Sequence, residues 1–132
     1  MSSNDISEIA EHPSPLSFDN TVARLVQAIE GKGMSIFARI DHAANARSAG
    51  LTMPPATVLI YGNAKGGTPV MLHSPLAALD LPLRVLIREA EDGKVTIAFH
   101  PVAAALRRLG LPEDIAARLE PAQNLLVAAV LA

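Results

Sequence analysis

A continuous apolar run from Thr57 to Tyr61 stands out in the hydropathy pattern and is rich in strand-forming residues. Such a run is typical of a strand in the interior of a sheet. It breaks into the glycine-rich segment Gly62 to Gly67, after which we expect Thr68 to cap a helical turn that begins at Pro69. The pattern therefore predicts a central strand that leads into a polar corner.

The segment before this strand has the period of a helix followed by that of a strand. An apolar stripe at spacings of three and four residues comprises Val22, Leu25, Val26 and Ile29. Ser17 is suited to cap the start of this helix, and the glycines around Lys32 predict its end. From Met34 to Ile40 the apolar residues alternate, which predicts a strand with Phe37 and Arg39 on the opposite side.

A short alanine-rich helix from Ala43 to Ala49 follows, with Asp41 placed to cap it. Further along, Asp80 to Glu89 predicts a strand with Pro82 at its start or at an edge. The Asp-Gly pair at Asp92 predicts a hairpin turn to a partner strand from Val95 to His100.

Two more helices are expected after the hairpin. Pro101 is well placed to begin one that ends at Gly110, and Pro112 precedes a last helix that Pro121 interrupts or kinks. The chain thus divides into residues 1–16, either a first strand or a frayed tail, and a single α+β domain over residues 17–132. The fold class is α+β, with an antiparallel sheet of four to five strands covered by helices.

Composition excludes several classes of function. The net charge is −2 and no basic stripe is present, which disfavours nucleic-acid binding. The absence of cysteine excludes disulfides and thiol catalysis and fits a cytoplasmic protein. No segment approaches the roughly 20 apolar residues that span a bilayer, and the N-terminus does not resemble a secretory signal. We expect a soluble, cytoplasmic protein that binds neither nucleic acid nor membranes.

Several motifs, occurring in the same order, resemble the family called domain of unknown function 302. The matching segments run from Thr21 to Leu25, Phe37 to His42, Gly62 to Met71, Leu79 to Leu83 and Asp92 to Val95. The resemblance implies a compact domain similar to the TATA-binding-protein-like fold, of the β-α-β(4)-α type, commonly dimeric. It implies no settled activity, and a shared fold does not bring DNA binding with it.

The pair Asp41-His42 is one candidate for chemistry. Imidazole can take and give protons near neutral pH, so His42 is a candidate catalytic acid or base, or a ligand-binding residue. Adjacent residues on a strand point to opposite faces, which makes helix capping an alternative role for Asp41. His42, His73 and His100 have spacings that match no metal motif, and we predict no metal site.

The corner offers a second candidate site. Its glycines expose backbone N–H groups, Lys65 adds positive charge and Thr68 precedes a predicted helix, an arrangement suited to an anion. Asn63, Lys65, Gly67 and Thr68 are therefore candidate ligand-binding residues, together with Asp41 and His42. A Walker loop has its lysine after the last glycine, whereas Lys65 precedes Gly66 and Gly67, so the segment is not a Walker loop.

Three functional hypotheses remain open on the sequence. The first is a homodimeric, non-enzymatic binding module for a small polar or anionic ligand near Asn63, Lys65 and Thr68. The second is an enzyme that uses His42 as a general acid or base. The third is a purely structural or interaction domain in which these motifs form turns and dimer contacts. No cofactor or reaction is implied.

Overall fold

In the computed structural model, which describes residues 8–131, five antiparallel strands form one sheet. The strands are β1 (Ala10–Ser14), β2 (Ser35–Asp41), β3 (Ala56–Gly62), β4 (Leu83–Glu89) and β5 (Val95–Phe99). Their spatial order is β1-β5-β4-β3-β2. The predicted antiparallel sheet is confirmed, and β3 is interior because β2 and β4 pair with its two edges. Within residues 1–16 the structure places β1, while residues 1–7 lie outside the described part.

Six α-helices and one 3₁₀ helix accompany the sheet in the described residues. They are α1 (Phe18–Gly31), α2 (His42–Ser48), α3 (Ala64–His73), the 3₁₀ helix Pro75–Leu79, α4 (Val102–Arg108), α5 (Glu113–Ala116) and α6 (Glu120–Leu131). This order is the expected β-α-β(4)-α arrangement with short helices inserted between strands.

The core lies on one face of the sheet, because alternate residues of each interior strand are buried. On β3 these are Thr57, Leu59 and Tyr61, and the same alternation continues on β4 and β5. Helices α1, α4 and α6 pack against this face with the buried side chains Leu25, Ile29, Leu106, Leu126 and Val130. The other face carries Val58, Ile60 and Leu86, which take no part in the core cluster.

The predicted alternation of β2 is wrong at Phe37. The pairing with β3 shifts there, since Ile36 pairs with Tyr61 and Ala38 with Ile60. Phe37 is the extra residue of a bulge, so Ile36 points to the core face and Ala38 to the opposite face. The bulge leaves the Phe37 side chain 56 % exposed, at the edge of the site described below.

The corner after β3 also differs from the prediction. Helix α3 begins at Ala64 with Asn63 as its cap, five positions before the expected start at Pro69, which lies inside the helix. The Asn63 side-chain oxygen accepts a hydrogen bond of 2.7 Å from the Gly66 N–H. Asparagine is among the strongest helix caps, and this bond favours helix formation through two glycines that are poor helix formers. Thr68 is therefore a helical residue and not a cap.

Gly66 permits close packing between the first turn of α3 and the segment before α6. A Cβ atom at this position would lie 3.2 Å from Asn63 Oδ1 and 3.3 Å from Leu119 Cδ2. At Gly67 an added Cβ would meet Leu81 and Met71 at 3.8 and 4.0 Å, which is ordinary contact. Of the two neighbouring glycines, only Gly66 is tightly packed, so a side chain there requires its neighbours to give way.

The expected last helix is divided into α5 and α6. Pro121 is the second residue of α6, where a missing N–H costs nothing because first-turn N–H groups have no partner within the helix. Arg107 of α4 makes two hydrogen bonds of 2.7 Å to Glu113 of α5, and these bonds lower the pKa of Glu113 and raise that of Arg107.

Buried Gln123 joins α6 to the end of β5. Its side-chain oxygen accepts from the Val102 N–H and its amide donates to the His100 carbonyl, both at 2.9 Å. Tyr61 of β3 makes a further link to α6, donating to the Ala122 carbonyl at 3.4 Å. Burial raises the pKa of Tyr61, so its hydroxyl remains a donor.

The two neighbouring glycines of α3 provide a matched test of this packing. We expect Gly67→Ala to raise the free energy of unfolding by roughly 0.5–1 kcal/mol, because alanine is the better helix former and has room. Gly66→Ala gains the same propensity but must displace Leu119 and the Asn63 cap, a cost of about 1–3 kcal/mol. Urea denaturation should rank Gly66→Ala below Gly67→Ala. Equal stabilities would contradict the close approach at Gly66.

Candidate ligand-binding cavity

A cavity of about 940 Å³ lies beside the first turn of α3. Its walls come from four segments of the chain, which run from Lys32 to Phe37, from Gly62 to Met71, from Ala78 to Leu83 and from Arg118 to Ala128. Tyr61 and Arg24 hold α6 in place, since Arg24 donates a 3.0 Å hydrogen bond to the Ala129 carbonyl. These bonds join α6, which forms one wall of the cavity, to α1 and to the sheet.

The walls of the cavity are mainly apolar. They include Met34, Met71, Leu81, Leu83, Leu119 and Leu125. Methionine side chains are flexible and adapt to irregular partners. Apolar walls of this kind gain free energy when they exclude water, so the cavity is suited to a ligand with a hydrocarbon body.

Polar groups are few among the lining residues. Asn63, Thr68 and Asn124 supply neutral donors and acceptors, and Lys32 and Arg118 supply positive charge. No aspartate or glutamate is among the lining residues that the structure describes. The electrostatic balance of the cavity is therefore cationic, even though the whole chain has a net charge of −2.

The glycine amides of the corner are engaged within α3. The Gly66 N–H bonds to the Asn63 side chain and the Gly67 N–H donates to the Asn63 carbonyl at 3.1 Å. The expectation that these glycines form a loop with exposed N–H groups is therefore wrong. A ligand here would contact side chains, and the Asn63 amide nitrogen has no hydrogen-bond partner among residues 8–131.

The predicted site residues separate into two groups. Asn63, Gly67 and Thr68 line the cavity, whereas Lys65 is exposed beside them and does not line it. Asp41 pairs with Thr57, near the opposite end of β3 from Gly62. At roughly 3.4 Å per residue this places Asp41 and His42 about 17 Å from the corner.

Asp41 and His42 do not form a dyad directed at a cavity. The Asp41 side chain caps α2 by accepting a 2.9 Å hydrogen bond from the Ala44 N–H. His42 is exposed at the first position of α2 and does not line the large cavity. Across residues 8–131, no group of three or more histidine, cysteine or acidic residues is arranged to hold a metal ion.

Sequence reasoning missed the half of the cavity that α6 and its neighbours provide. Lys32, Arg118, Leu119 and Leu125 line it, although none belongs to a recognisable motif. One signal was available: Leu125 and Leu126 are adjacent on a helix that is apolar on more than one side. Such a helix has two apolar surfaces, and only one of them faces the core.

A solved structure shares the fold of this chain. A crystal structure of an uncharacterized conserved protein DUF302 from Bacillus stearothermophilus superposes with a TM-score of 0.80 at 17% identity, covering 93% of this chain and 95% of that one. At this identity the likeness shows the fold alone.

Three Brucella proteins share a segment with this chain. The proteins of Brucella suis and Brucella abortus described as fluoride-specific ion channel FluC 1 are each 38% identical over 102 residues, or 76% of this chain. The Brucella melitensis protein described as FluC 2 has the same identity. The chain spans only 38–40% of the length of these relatives. None of the helices in residues 8–131 combines the length and hydropathy needed to cross a membrane.

The family comparison covers nearly the whole domain. A family model described as Domain of unknown function DUF302 matches residues 10–130, which include all five strands and most of α6. This match confirms the resemblance carried by the sequence motifs. The chain belongs to the DUF302 family.

Proposed function

We propose that the protein is a homodimeric, non-enzymatic binding module for a small polar or anionic ligand that occupies the cavity beside α3. The observation that supports this proposal most is a cavity of about 940 Å³ whose charged lining residues are Lys32 and Arg118. Ligand sites typically measure about 300–1,000 Å³ and combine apolar walls with a few polar groups. The cavity has both properties.

Asn63, Gly67 and Thr68 supply the α3 side of the proposed site. Asn63 offers its amide nitrogen to the ligand while its oxygen caps the helix. Gly67 leaves the wall open because it has no side chain, and Thr68 adds a hydroxyl. Lys65 lies outside the wall. As an exposed cation it attracts anions from a distance, and dissolved salt screens this attraction.

The alternative enzymatic role for His42 has less support. General acid–base catalysis requires a group within hydrogen-bond reach of a bound substrate. His42 is exposed, and its neighbour Asp41 is engaged with α2. We therefore assign Asp41 a capping role and leave His42 outside the proposed ligand site.

The homodimer is proposed through the second face of the sheet. Its centre is apolar, with Val58, Ile60 and Leu86 partly exposed. On the same face Arg84 of the middle strand β4 pairs with Ile60, and Glu11 lies on the edge strand β1, 3.6 Å from Arg88 of the same chain. A twofold arrangement can bring these charges against unlike charges of a second copy. Apolar centres with charged rims are typical of protein interfaces.

We propose a cytoplasmic location, which the absence of cysteine favours.

A role in fluoride handling is a second candidate, favoured by the 38% identity to the Brucella proteins. The shared 102 residues correspond to a part of this chain that has no membrane-crossing helix in its described range. In this candidate the domain binds fluoride or works beside a channel, without forming the pore itself.

A ligand panel in a thermal-shift assay tests the binding function. The probes are phosphate, acetate, benzoate and octanoate, with sodium fluoride compared with sodium chloride at equal concentration. A ligand that binds only the folded state adds RT ln(1 + [L]/Kd) to the free energy of unfolding and so raises the melting temperature. We expect at least one organic or inorganic anion to do so. A rise produced by fluoride and not chloride supports fluoride binding, and no rise with any probe contradicts ligand binding in both candidates.

The variant Asn63→Asp separates anion binding from folding. Aspartate caps helices as well as asparagine and suits the helix N-terminus, so stability should not fall. The added carboxylate repels a bound anion, and we expect its affinity to fall at least tenfold, or about 1.4 kcal/mol. Asn45→Asp, the same change at an exposed position of α2, is the control. Equal affinities for the two variants would contradict a site at the corner.

Sedimentation tests the dimer. We expect a mass near twice the 13.8 kDa of one chain, and Ile60→Lys should produce monomers because it buries a charge in the proposed interface. Gln27→Lys, on the exposed side of α1, should remain dimeric. A monomeric wild type would reject the dimer.

A further inference from the structure

We infer that the ligand of this cavity is an amphipathic anion: a hydrocarbon body of eight or more carbons that carries one acidic head group. This inference rests on the proposed binding function and narrows its ligand class. The body would lie between α3 and α6, and the head would lie by Lys32, Arg118 and Asn63.

The body of the ligand is argued from the walls. Apolar residues form most of the lining, with leucine and methionine among its large side chains, while the neutral polar side chains are limited to Asn63, Thr68 and Asn124. A small ion would leave these walls in contact with water and would gain only exposed, screened ion pairs. Each methylene buried between the walls instead adds about fourfold in affinity.

The head group is argued from unbalanced charge. Arg88, Arg107 and Arg108 each lie against a glutamate, respectively Glu11, Glu113 and Glu8. Lys32 and Arg118 make no such pair with any residue in the described range 8–131, and both line the cavity. Two cations without a carboxylate in ion-pair contact favour an anionic head over a neutral or cationic one.

The exposed leucines near the cavity indicate a competing occupant. Leu72, Leu76 and Leu79 are 79 %, 62 % and 84 % exposed, and a second copy could present them to the cavity. These side chains bring no negative charge to Lys32 and Arg118. Charge complementarity therefore favours the amphipathic anion, and the second copy becomes an outcome of the test.

Isothermal titration with probes that differ in one part at a time tests the inference. Octanoate has both the hydrocarbon body and the acidic head. Octanol replaces the head by a neutral group and octylammonium by a cation, while acetate keeps the carboxylate without the long body. We expect octanoate to bind at least tenfold more tightly than octanol or octylammonium, and acetate to show no binding. Decanoate, with two more methylenes, should bind about fifteenfold more tightly than octanoate.

Paired variants assign the two parts to residues. The double variant Lys32→Gln with Arg118→Gln should bring the affinity for octanoate to within threefold of that for octanol. The affinity for octanol should not change. Lys65→Gln with Arg39→Gln removes equal charge from exposed positions outside the lining and should leave both affinities unchanged. Ala128→Phe, at an exposed lining position, should weaken octanoate by filling the cavity. Circular dichroism confirms that each variant is folded.

Several results would overturn the inference. Acetate or phosphate binding as tightly as octanoate would show an anion site without a body, and the proposed function would survive. Equal binding of octanol and octanoate would show an apolar site indifferent to charge. Octanoate affinity that falls as the protein dimerises would place a second copy in the cavity. No binding by any probe would remove the inference and the proposed function together.

Discussion

The hydrogen bond between the Asn63 side chain and the Gly66 N–H decides where the central strand becomes a helix. Without this cap, two successive glycines have little tendency to continue as a helix. With it, α3 begins immediately after β3, and its first turn packs closely against Leu119, where a Cβ atom at Gly66 would lie 3.3 Å from Cδ2. The position of α3 relative to α6, and hence the cavity between them, depends on this one local interaction.

In the proposed site, ligand recognition would divide between two kinds of interaction. Apolar side chains such as Met71 and Leu125 supply area that gains free energy on excluding water, but they do not distinguish one hydrocarbon from another. Lys32 and Arg118 supply positive charge, which selects among ligands by their charge more than it strengthens binding. The overall negative charge of the chain hides this local excess, which is why composition alone did not reveal it.

The sequence predicted the sheet well because strand and helix periods are local signals. The order of elements, the Ser17 and Asp41 caps and the hairpin at Asp92 all follow from neighbouring residues. The start of α3 was mistaken because Gly66 and Gly67 resemble a loop until a cap and a packing partner are known. The far wall of the cavity depends on contacts between distant segments, such as Tyr61 with Ala122, that no local pattern encodes.

The central claim is that the space between α3 and α6 receives the hydrocarbon body of a ligand. Nuclear Overhauser effects between octanoate and the methyl groups of the protein test it most directly, because they report contacts of a few ångströms. The account predicts contacts from the octanoate chain to Leu119, Leu125 and Met71. Contacts confined to the exposed side chains of Leu72, Leu76 and Leu79 would contradict it.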